Sequence, residues 1–423
     1  MQNDDVVKTQ LENGVRIISE KIPGVRSVST GIWVGVGSRH ENNGQEGTAH
    51  LIEHLMFRGT KKRSASDIAT ALDSVGGQLN AFTTKEFTCY YTKTLDEHFY
   101  LGLDVLTDMF FNSTFSEESI EKEKSVITEE IKMYENTPDD LIHDFFMQTV
   151  WPDHPLGKPI LGTIESLENI QREDLLNFLK EKYIPERVVV VVVGNLNHEE
   201  VQSKVSELFI NRQPDTNTTR LALPKRASGA STHLKRDIGQ VQICLGTDGL
   251  SQKDERLYVL YILNNILGGG LSSRLVQSIR EERGLAYSVF SYHSTFCDTG
   301  LFTFYAGTSP NKYYEVIDLF IKEIQQVVQY GITATELKRA KDQFKGNLLM
   351  GLENVSNRMS RLGRNELCLA KIISPTEIIK RVSSVTLDEV HELAHELFGE
   401  NHFTLSTIGP LDQPLDLQAH LYI

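Results

Sequence analysis

The sequence has little cysteine, no long apolar run and no excess of basic residues. Its four cysteines, Cys89, Cys244, Cys297 and Cys368, lie far apart and form no C-x-x-C pair. Free thiols in a reducing compartment are therefore expected, rather than a disulfide framework. No stretch approaches the roughly 18 apolar residues of a membrane span. The formal net charge of −14 argues against a nucleic-acid binder, which would usually show a basic patch.

The beginning of the sequence also lacks a recognisable targeting segment. Residues 1–5, MQNDD, are acidic, and no apolar core follows them. This pattern excludes a secretory signal and differs from an Arg-rich, acid-poor transit peptide. If Met1 is the native start, the sequence predicts a cytoplasmic protein that binds neither membranes nor nucleic acids.

The length and composition are those of an ordinary globular protein with more than one domain. The chain has 423 residues, of which 40% are hydrophobic and 24% charged, enough to bury a core in each of two domains. The region 209–230 is rich in Pro, Asn, Asp, Thr and Gly and shows no sustained period, which indicates a linker. We place this linker at 213–230, between an N-terminal domain at 1–212 and a C-terminal domain at 231–423.

The two halves repeat the same order of elements. Each runs through a β-rich opening, an apolar helix, a further β-rich stretch and two long amphipathic helices. In the first half these segments are 15–36, 48–57, 77–94, 97–112 and 116–135, and in the second they are 240–246, 255–267, 285–307, 311–330 and 333–351. The expected fold is therefore α+β, with two tandem similar domains that each carry helices on one face of a mixed or antiparallel sheet. The alternative is two unrelated α+β domains.

The motif His50-Leu51-Ile52-Glu53-His54 carries the most specific chemical signal. On a helix, His50, Glu53 and His54 fall within an arc of roughly 100°, and apolar side chains fill the opposite side. Two histidines at i and i+4 can share one zinc ion, and the glutamate between them can accept a proton from water at the metal. This H-x-x-E-H order is that of the inverted zincins. The alternative is a chance pair of histidines on a solvated helix. Thr48 is a plausible N-cap of the helix, and Gly59 a plausible stop signal.

A catalytic zinc ion needs a third protein ligand, and the helix predicted at 116–135 offers two candidates. Most of its acidic residues point away from its apolar face, but Glu123 and Glu130 lie within that face by helical count. They are two turns apart, which suits one metal ligand and one carboxylate that orients a ligand. The alternative is that both carboxylates form buried salt bridges with Lys or Arg.

At this point the sequence resembles the pitrilysin-type zinc peptidases. Within them it is most similar to the β-subunit of the mitochondrial processing peptidase and its small bacterial relatives. In this family the ligand glutamate follows the last histidine of the motif by 76 residues, which here is Glu130. The family's acid seven residues earlier matches Glu123. Further matches that carried no assigned role are the segment 154–157, HPLG, and Gly162-Thr163.

The resemblance also implies where a peptide would bind. Segment 76–84 resembles the family's substrate-edge strand, so Asn80, Ala81 and Phe82 are expected to contact substrate. Arg280 and Tyr287 resemble the arginine and tyrosine that the second domain brings to the substrate. If the repeats align, Leu260, Leu263 and Asn264 stand where the motif residues stand in the first half, so the second domain is expected to bind substrate without a metal.

Together these observations predict a zinc-dependent endopeptidase that cuts peptides or unfolded polypeptide segments. One zinc ion per chain would be held by His50, His54 and Glu130, with Glu53 as the general base. The resemblance implies two domains that close over the substrate in a clamshell chamber, and a homodimer or a heterodimer with an inactive homologous chain. The alternative is a non-catalytic or metal-binding partner subunit of a processing peptidase heterodimer.

Overall fold

The chain is described by a computed structural model over residues 6–209, 222–225, 229–399, 403–412 and 415. The acidic start at 1–5 and most of the linker predicted at 213–230 lie outside these residues. The chain forms two compact units. Unit 1 comprises Met1–Lys132, Lys158–Ala222 and Leu349–Ser374, and unit 2 comprises Met133–Gly157, Leu223–Leu348 and Pro375–Ile423. The change of unit at Ala222 lies inside the predicted linker. However, residues 133–157 from the first half of the sequence belong to unit 2, and residues 349–374 from the second half belong to unit 1. We call these two the exchanged segments.

The described residues contain eleven strands and fourteen α-helices. The strands are β1 (Val6–Gln10), β2 (Arg16–Lys21), β3 (Ser27–Val34), β4 (Gln78–Thr83), β5 (Thr88–Leu95), β6 (Val188–Gly194), β7 (Ser231–Lys235), β8 (Val241–Asp248), β9 (Ala286–Thr295), β10 (Gly300–Thr308) and β11 (Thr404–Gly409). The helices are α1 (Thr48–Met56), α2 (Ala65–Asp73), α3 (Phe99–Asn112), α4 (Glu117–Glu135), α5 (Pro138–Val150), α6 (Ile164–Asn169), α7 (Arg172–Lys182), α8 (His198–Phe209), α9 (Leu257–Gly268), α10 (Tyr313–Tyr330), α11 (Ala334–Gly351), α12 (Val355–Leu369), α13 (Pro375–Ser384) and α14 (Leu387–Phe398). The helices and strands predicted from the sequence are all present, with ends that differ by a few residues.

Each unit is built on one mixed sheet, and the two sheets share a topology. The sheet of unit 1 has the order β1-β2-β6-β3-β5-β4, and that of unit 2 has the order β7-β11-β8-β10-β9. In each sheet one neighbouring pair is parallel, β2 with β6 and β7 with β11, and the other pairs are antiparallel. Strand for strand, β2, β6, β3, β5 and β4 correspond to β7, β11, β8, β10 and β9. The predicted α+β fold of two similar units is confirmed, and this shared order supports an internal duplication.

Both faces of the unit 1 sheet are apolar, and helices cover both. The all-valine strand β6 is buried along its whole length. Because strand side chains alternate between faces, Val190 and Val192 join the core beneath α1 and α3, while Val189 and Val191 point into a second cluster on the opposite face. The sheet therefore needs a cover on each side.

The second cover comes from the exchanged segments. Helix α12, from the second half of the sequence, packs on the unit 1 sheet through Val355, Met359 and Leu362. In unit 2, α5 from the first half packs on the sheet through Ile142, Phe146 and Val150. These helices add a layer on the second face of each sheet, whereas the sequence predicted helices on one face.

The described helices include none that is both long enough and apolar enough to cross a membrane. This agrees with the absence of long apolar runs in the sequence.

Candidate metal centre

Helix α1 presents the H-x-x-E-H motif from a well-anchored position. Its rear side chains Leu51, Ile52, Leu55 and Met56 are at most 1% exposed in the core, as the helical pattern predicted. The predicted N-cap, Thr48, is wrong: the N-cap is Gly47, with a left-handed φ of 94° and no side-chain cap.

The start of α1 is instead capped from outside the helix. The Glu41 carboxylate accepts hydrogen bonds from the backbone N–H groups of Gly47 (3.0 Å) and Ala49 (2.7 Å). These amides have no partner within the helix, so the Glu41 oxygens satisfy two donors there, while burial raises the pKa of this carboxyl to about 8. Glu41 therefore fixes the first turn of the helix that carries His50.

Gly162 and Ser166 hold the segment before α1 from the other side. Gly162 has a left-handed φ of 74°, and a Cβ there would lie 2.2 Å from the carbonyl oxygen of Glu46. The Ser166 hydroxyl donates to that same carbonyl at 2.7 Å. The matched dipeptide Gly162-Thr163 thus supports the start of α1, and the Thr163 side chain caps α6.

His50, His54 and Glu130 come together in the structure. One ligand atom from each residue lies within 4.8 Å of the other two, and His54 Nε2 is 3.8 Å from Glu130 Oε2. Two tetrahedral zinc ligands, each about 2.1 Å from the ion, are roughly 3.4 Å apart, so the cluster has suitable dimensions. In addition, His50 Nδ1 is buried without a hydrogen-bond partner among the described residues. An imidazole pair with one carboxylate is a donor set that zinc prefers.

Glu123 supports His54 from behind. Its carboxylate is fully buried and accepts from His54 Nδ1 at 3.1 Å and from Arg58 Nη2 at 3.1 Å. Since the carboxylate accepts the Nδ1 hydrogen, His54 Nε2 keeps its lone pair toward Glu130. The two roles considered for this acid, orientation of a ligand and a buried salt bridge, are both present in Glu123. Glu130 has no Lys or Arg partner among the described residues and is about one-third exposed (37%).

The electrostatics of α1 suit metal binding and proton transfer. Burial, with His54 nearby, lowers the pKa of His50 to about 4, so this imidazole is neutral and able to donate a lone pair at neutral pH. Burial raises the pKa of the Glu53 carboxyl, and Glu130 adds to this, while a hydrogen bond from Thr83 and the nearby His54 act against it. A raised pKa makes Glu53 a better proton acceptor.

Strand β4 runs beside α1 and is one of the two edges of the unit 1 sheet. Among the described strands it pairs only with β5, and the Ala81 amide bonds to the Asn80 side chain at 2.8 Å. In an antiparallel pair the N–H and C=O of such a residue face away from the partner strand. The edge can therefore accept another strand. The Phe82 ring packs against Trp33 with centroids 5.5 Å apart, so its side chain belongs to the core of the second face.

Arg280 and Tyr287 meet within unit 2. Arg280 lies in a π-helical turn, Val276–Glu281, and its guanidinium carbon is 5.3 Å from the centroid of the Tyr287 ring. Tyr287 is 82% exposed at the start of β9, an edge strand of its sheet. Contact of Arg280 and Tyr287 with substrate stays a prediction.

At the positions on α9 that correspond to the motif, Leu260 and Leu263 are buried and Asn264 accepts from the Ser291 hydroxyl at 2.8 Å.

Sequence reasoning did not assign a supporting role to four residues that shape this centre: Glu41, Arg58, Thr83 and Gly162. Arg58 had a detectable signal, because it lies one turn after His54 on the same helix. The others act from loops and a strand whose distance from α1 is set only by the fold.

Comparison with known proteins places these observations in one family. Residues 16–164, which contain the motif and Glu130, match the insulinase family, peptidase family M16. Residues 169–344 match the peptidase M16 inactive domain, which agrees with the apolar residues at the motif positions of α9. The greater similarity to the β-subunit of the mitochondrial processing peptidase stays a prediction.

Relatives match the chain over nearly its full length. An uncharacterized zinc protease of Bacillus subtilis, YmxG, is 45% identical over 94% of this chain and 97% of its own. One of Streptomyces coelicolor is 41% identical over 98% of this chain and 92% of its own. In fold, the chain resembles the crystal structure of a protease from Helicobacter pylori, with a TM-score of 0.88 at 24% identity, covering 96% of this chain and 99% of the other.

Proposed function

Because the chain belongs to the M16 peptidase family, we propose that it is a zinc-dependent endopeptidase that cuts peptides or unfolded polypeptide segments. The proposal is carried by one observation: two imidazoles and a carboxylate converge beside a glutamate with a raised pKa. The free edge of β4 next to this cluster supports an extended peptide as substrate.

The residues have distinct tasks in this proposal. His50, His54 and Glu130 would hold one zinc ion per chain, and Glu123 would fix the orientation of His54. When bound, zinc supplies electrostatic activation of a water molecule and of the peptide carbonyl. Glu53 accepts a proton from the attacking water and returns it to the departing amine.

Substrate contacts are proposed for two places. Main-chain groups of Asn80, Ala81 and Phe82 would pair with the peptide, an interaction that is sequence-tolerant because it uses the backbone. Arg280 and Tyr287 would donate to the substrate carbonyls, since their cation and hydroxyl are both hydrogen-bond donors.

The proposed setting rests on the cysteines, and the proposed assembly rests on the family resemblance alone. None of the four cysteines forms a disulfide, which suits the reducing cytoplasm. We propose a homodimer, with a heterodimer containing an inactive homologous chain as the second form. Sedimentation of the purified protein, alone and after co-purification, distinguishes a homodimer from a monomer that acquires a second chain.

The second candidate function is a non-catalytic metal-binding subunit of a processing peptidase. The matched inactive domain in the second half is compatible with it. The complete set of His50, Glu53, His54 and Glu130 favours the enzyme, because a subunit that only binds metal has no use for Glu53.

The test is cleavage of a quenched fluorescent peptide library with metal content measured on the same sample. We expect about one zinc ion per chain, loss of cleavage with a chelator and recovery on adding zinc. Stoichiometric zinc without cleavage of any peptide would favour the non-catalytic subunit. Absence of zinc after reconstitution would contradict both functions.

A further inference from the structure

The Glu53 carboxylate is held by a single residue of the edge strand. Thr83, the last residue of β4, donates from its hydroxyl to Glu53 Oε2 at 2.6 Å. No described residue donates to the other oxygen, Oε1. The two carboxylate oxygens of Glu53 therefore differ: Oε2 accepts a hydrogen bond from the protein, and Oε1 is able to accept a proton.

The hydroxyl groups behind Thr83 explain why its hydrogen goes to Glu53. Thr83 Oγ1 lies 3.4 Å from Thr88 Oγ1, but Thr88 donates its own hydrogen to the carbonyl of Val36 at 2.9 Å. A hydroxyl has one hydrogen to give, so Thr88 does not donate to Thr83. A carboxylate can only accept, so the hydrogen of the Thr83 hydroxyl lies in its bond to Glu53.

Two tyrosines lie behind this arrangement. The Tyr183 hydroxyl lies 3.2 Å from the hydroxyl of Tyr90, and either oxygen can be the donor. Tyr90 and Thr88 are 2% and 0% exposed. Thr88 is therefore held in a buried position by its own hydrogen bond to Val36.

We propose that Thr83 is a positioning residue for Glu53. Its hydrogen bond holds Oε2 and leaves Oε1 as the oxygen that accepts the proton from the attacking water. Since Thr83 belongs to the edge strand that would pair with the peptide, the same strand locates both the substrate and the base. This inference rests on the proposed function.

The test compares Thr83→Val with Thr83→Ser in the full-length protein. Valine keeps the β-branched shape and the strand preference but removes the donor, whereas serine keeps the donor. A hydrogen bond to a charged group is worth about ten- to a hundredfold in rate, so we expect Thr83→Val to lower kcat by about that factor. KM and zinc content should stay within about twofold of the unchanged protein, and Thr83→Ser should recover most of kcat.

A matched control is Thr92→Val, which removes a buried threonine hydroxyl on the adjacent strand β5. It should leave kcat unchanged, which separates loss of the Glu53 contact from a general effect of burying a valine. A second readout does not depend on activity: crystal structures of metal-free Thr83→Val and of the unchanged protein. Glu53 should occupy one rotamer in the unchanged protein and several in the variant.

The outcomes separate the positioning role from the proposed function. An undiminished kcat in Thr83→Val, an equal loss in Thr83→Ser, or a single unchanged Glu53 rotamer in Thr83→Val overturns the positioning role. If the unchanged protein binds zinc but cleaves no peptide, the proposed function fails. The rotamer comparison then decides the positioning role by itself.

Discussion

At the residue scale, two glutamates of the centre have opposite environments and opposite tasks. Glu123 accepts hydrogen bonds from His54 and Arg58 and forms an ion pair with Arg58, so it is suited to hold a charge in place. Glu53 has one donor, Thr83, and a raised pKa, so it is suited to take up a proton. Conservative amide substitutions should therefore have different effects at the two positions.

Glu53→Gln should abolish nearly all cleavage while zinc remains bound. The amide has the same size but cannot accept a proton from water, and loss of a general base lowers rates by roughly a hundred- to ten-thousandfold. Peptide cleavage and metal content of the same preparation check this. Glu129→Gln, on the exposed face of α4, is the control. A cleavage rate close to that of the unchanged protein would remove Glu53 from its assigned role.

Glu123→Gln should act on metal affinity instead. The amide is neutral, so it holds the His54 imidazole less firmly and leaves Arg58 without its charge partner. Loss of such a supporting carboxylate typically weakens metal binding by about ten- to a hundredfold. Competition with a fluorescent chelator measures the change. Glu121→Gln, on the same helix but exposed, should bind zinc as the unchanged protein does, and equal affinities in the two variants would contradict the role of Glu123.

At the scale of elements, α1 is positioned by loops that are distant in sequence. Gly162 permits the backbone of its loop to touch that of Glu46, just before the helix begins. An alanine there would meet both a disfavoured φ and a direct clash with a carbonyl oxygen.

Gly162→Ala should therefore lower the free energy of unfolding by about 2–6 kcal/mol, since strained backbone and overpacking each cost about 1–3 kcal/mol. Gly44→Ala separates the two causes, because Gly44 also has a left-handed φ (82°) but has open space around its Cβ position. It should cost only about 1 kcal/mol. Urea unfolding measures both, and equal losses would show that the contact with Glu46 is unimportant.

The sequence predicted the helices, the strands and the candidate metal ligands. It did not predict the residues that contact them from distant parts of the chain. The period of apolar residues predicted α1 and α4, the spacing of the motif predicted His50 and His54 as metal ligands, and the family resemblance added Glu130. The parallel pair of β2 with β6 and the cap provided by Glu41 leave no local pattern, because each depends on contacts that only the folded chain creates. The apolar face of α4 is itself not fully covered, because Val126 and Met133 are 42% and 67% exposed.

At the scale of the whole molecule, helix α12 ties the second half of the sequence to the sheet of unit 1. The Trp33 indole donates to Met359 Sδ at 3.1 Å, and Gly363 lets the helix approach that ring closely. Glu366, which is 1% exposed, accepts from Lys8 at 2.7 Å and pairs with Arg16 at 3.1 Å. This helix therefore contributes both apolar contacts and buried charge pairs to the unit that carries the metal centre.

Met359→Ala should destabilise unit 1 by about 2–5 kcal/mol, the usual cost of truncating a buried methionine. Met350→Ala, nine residues earlier and 63% exposed, should change stability by less than about 0.5 kcal/mol. Unfolding followed by the fluorescence of the buried Trp33 measures the effect. Equal losses in the two variants would show that α12 does not stabilise this sheet.

The exchange of α12 has a consequence for the order in which the protein is made. Residues 349–374 leave the ribosome only after the other segments of unit 1, so the second face of the unit 1 sheet stays uncovered until α12 has been made. Ribosome-bound chains that end before and after α12 should differ in protease resistance of residues 16–34, and equal resistance would contradict this. A nascent chain thus carries the whole H-x-x-E-H motif long before α12 covers the second face of its supporting sheet, so the proposed peptidase would be complete only after α12 has been made.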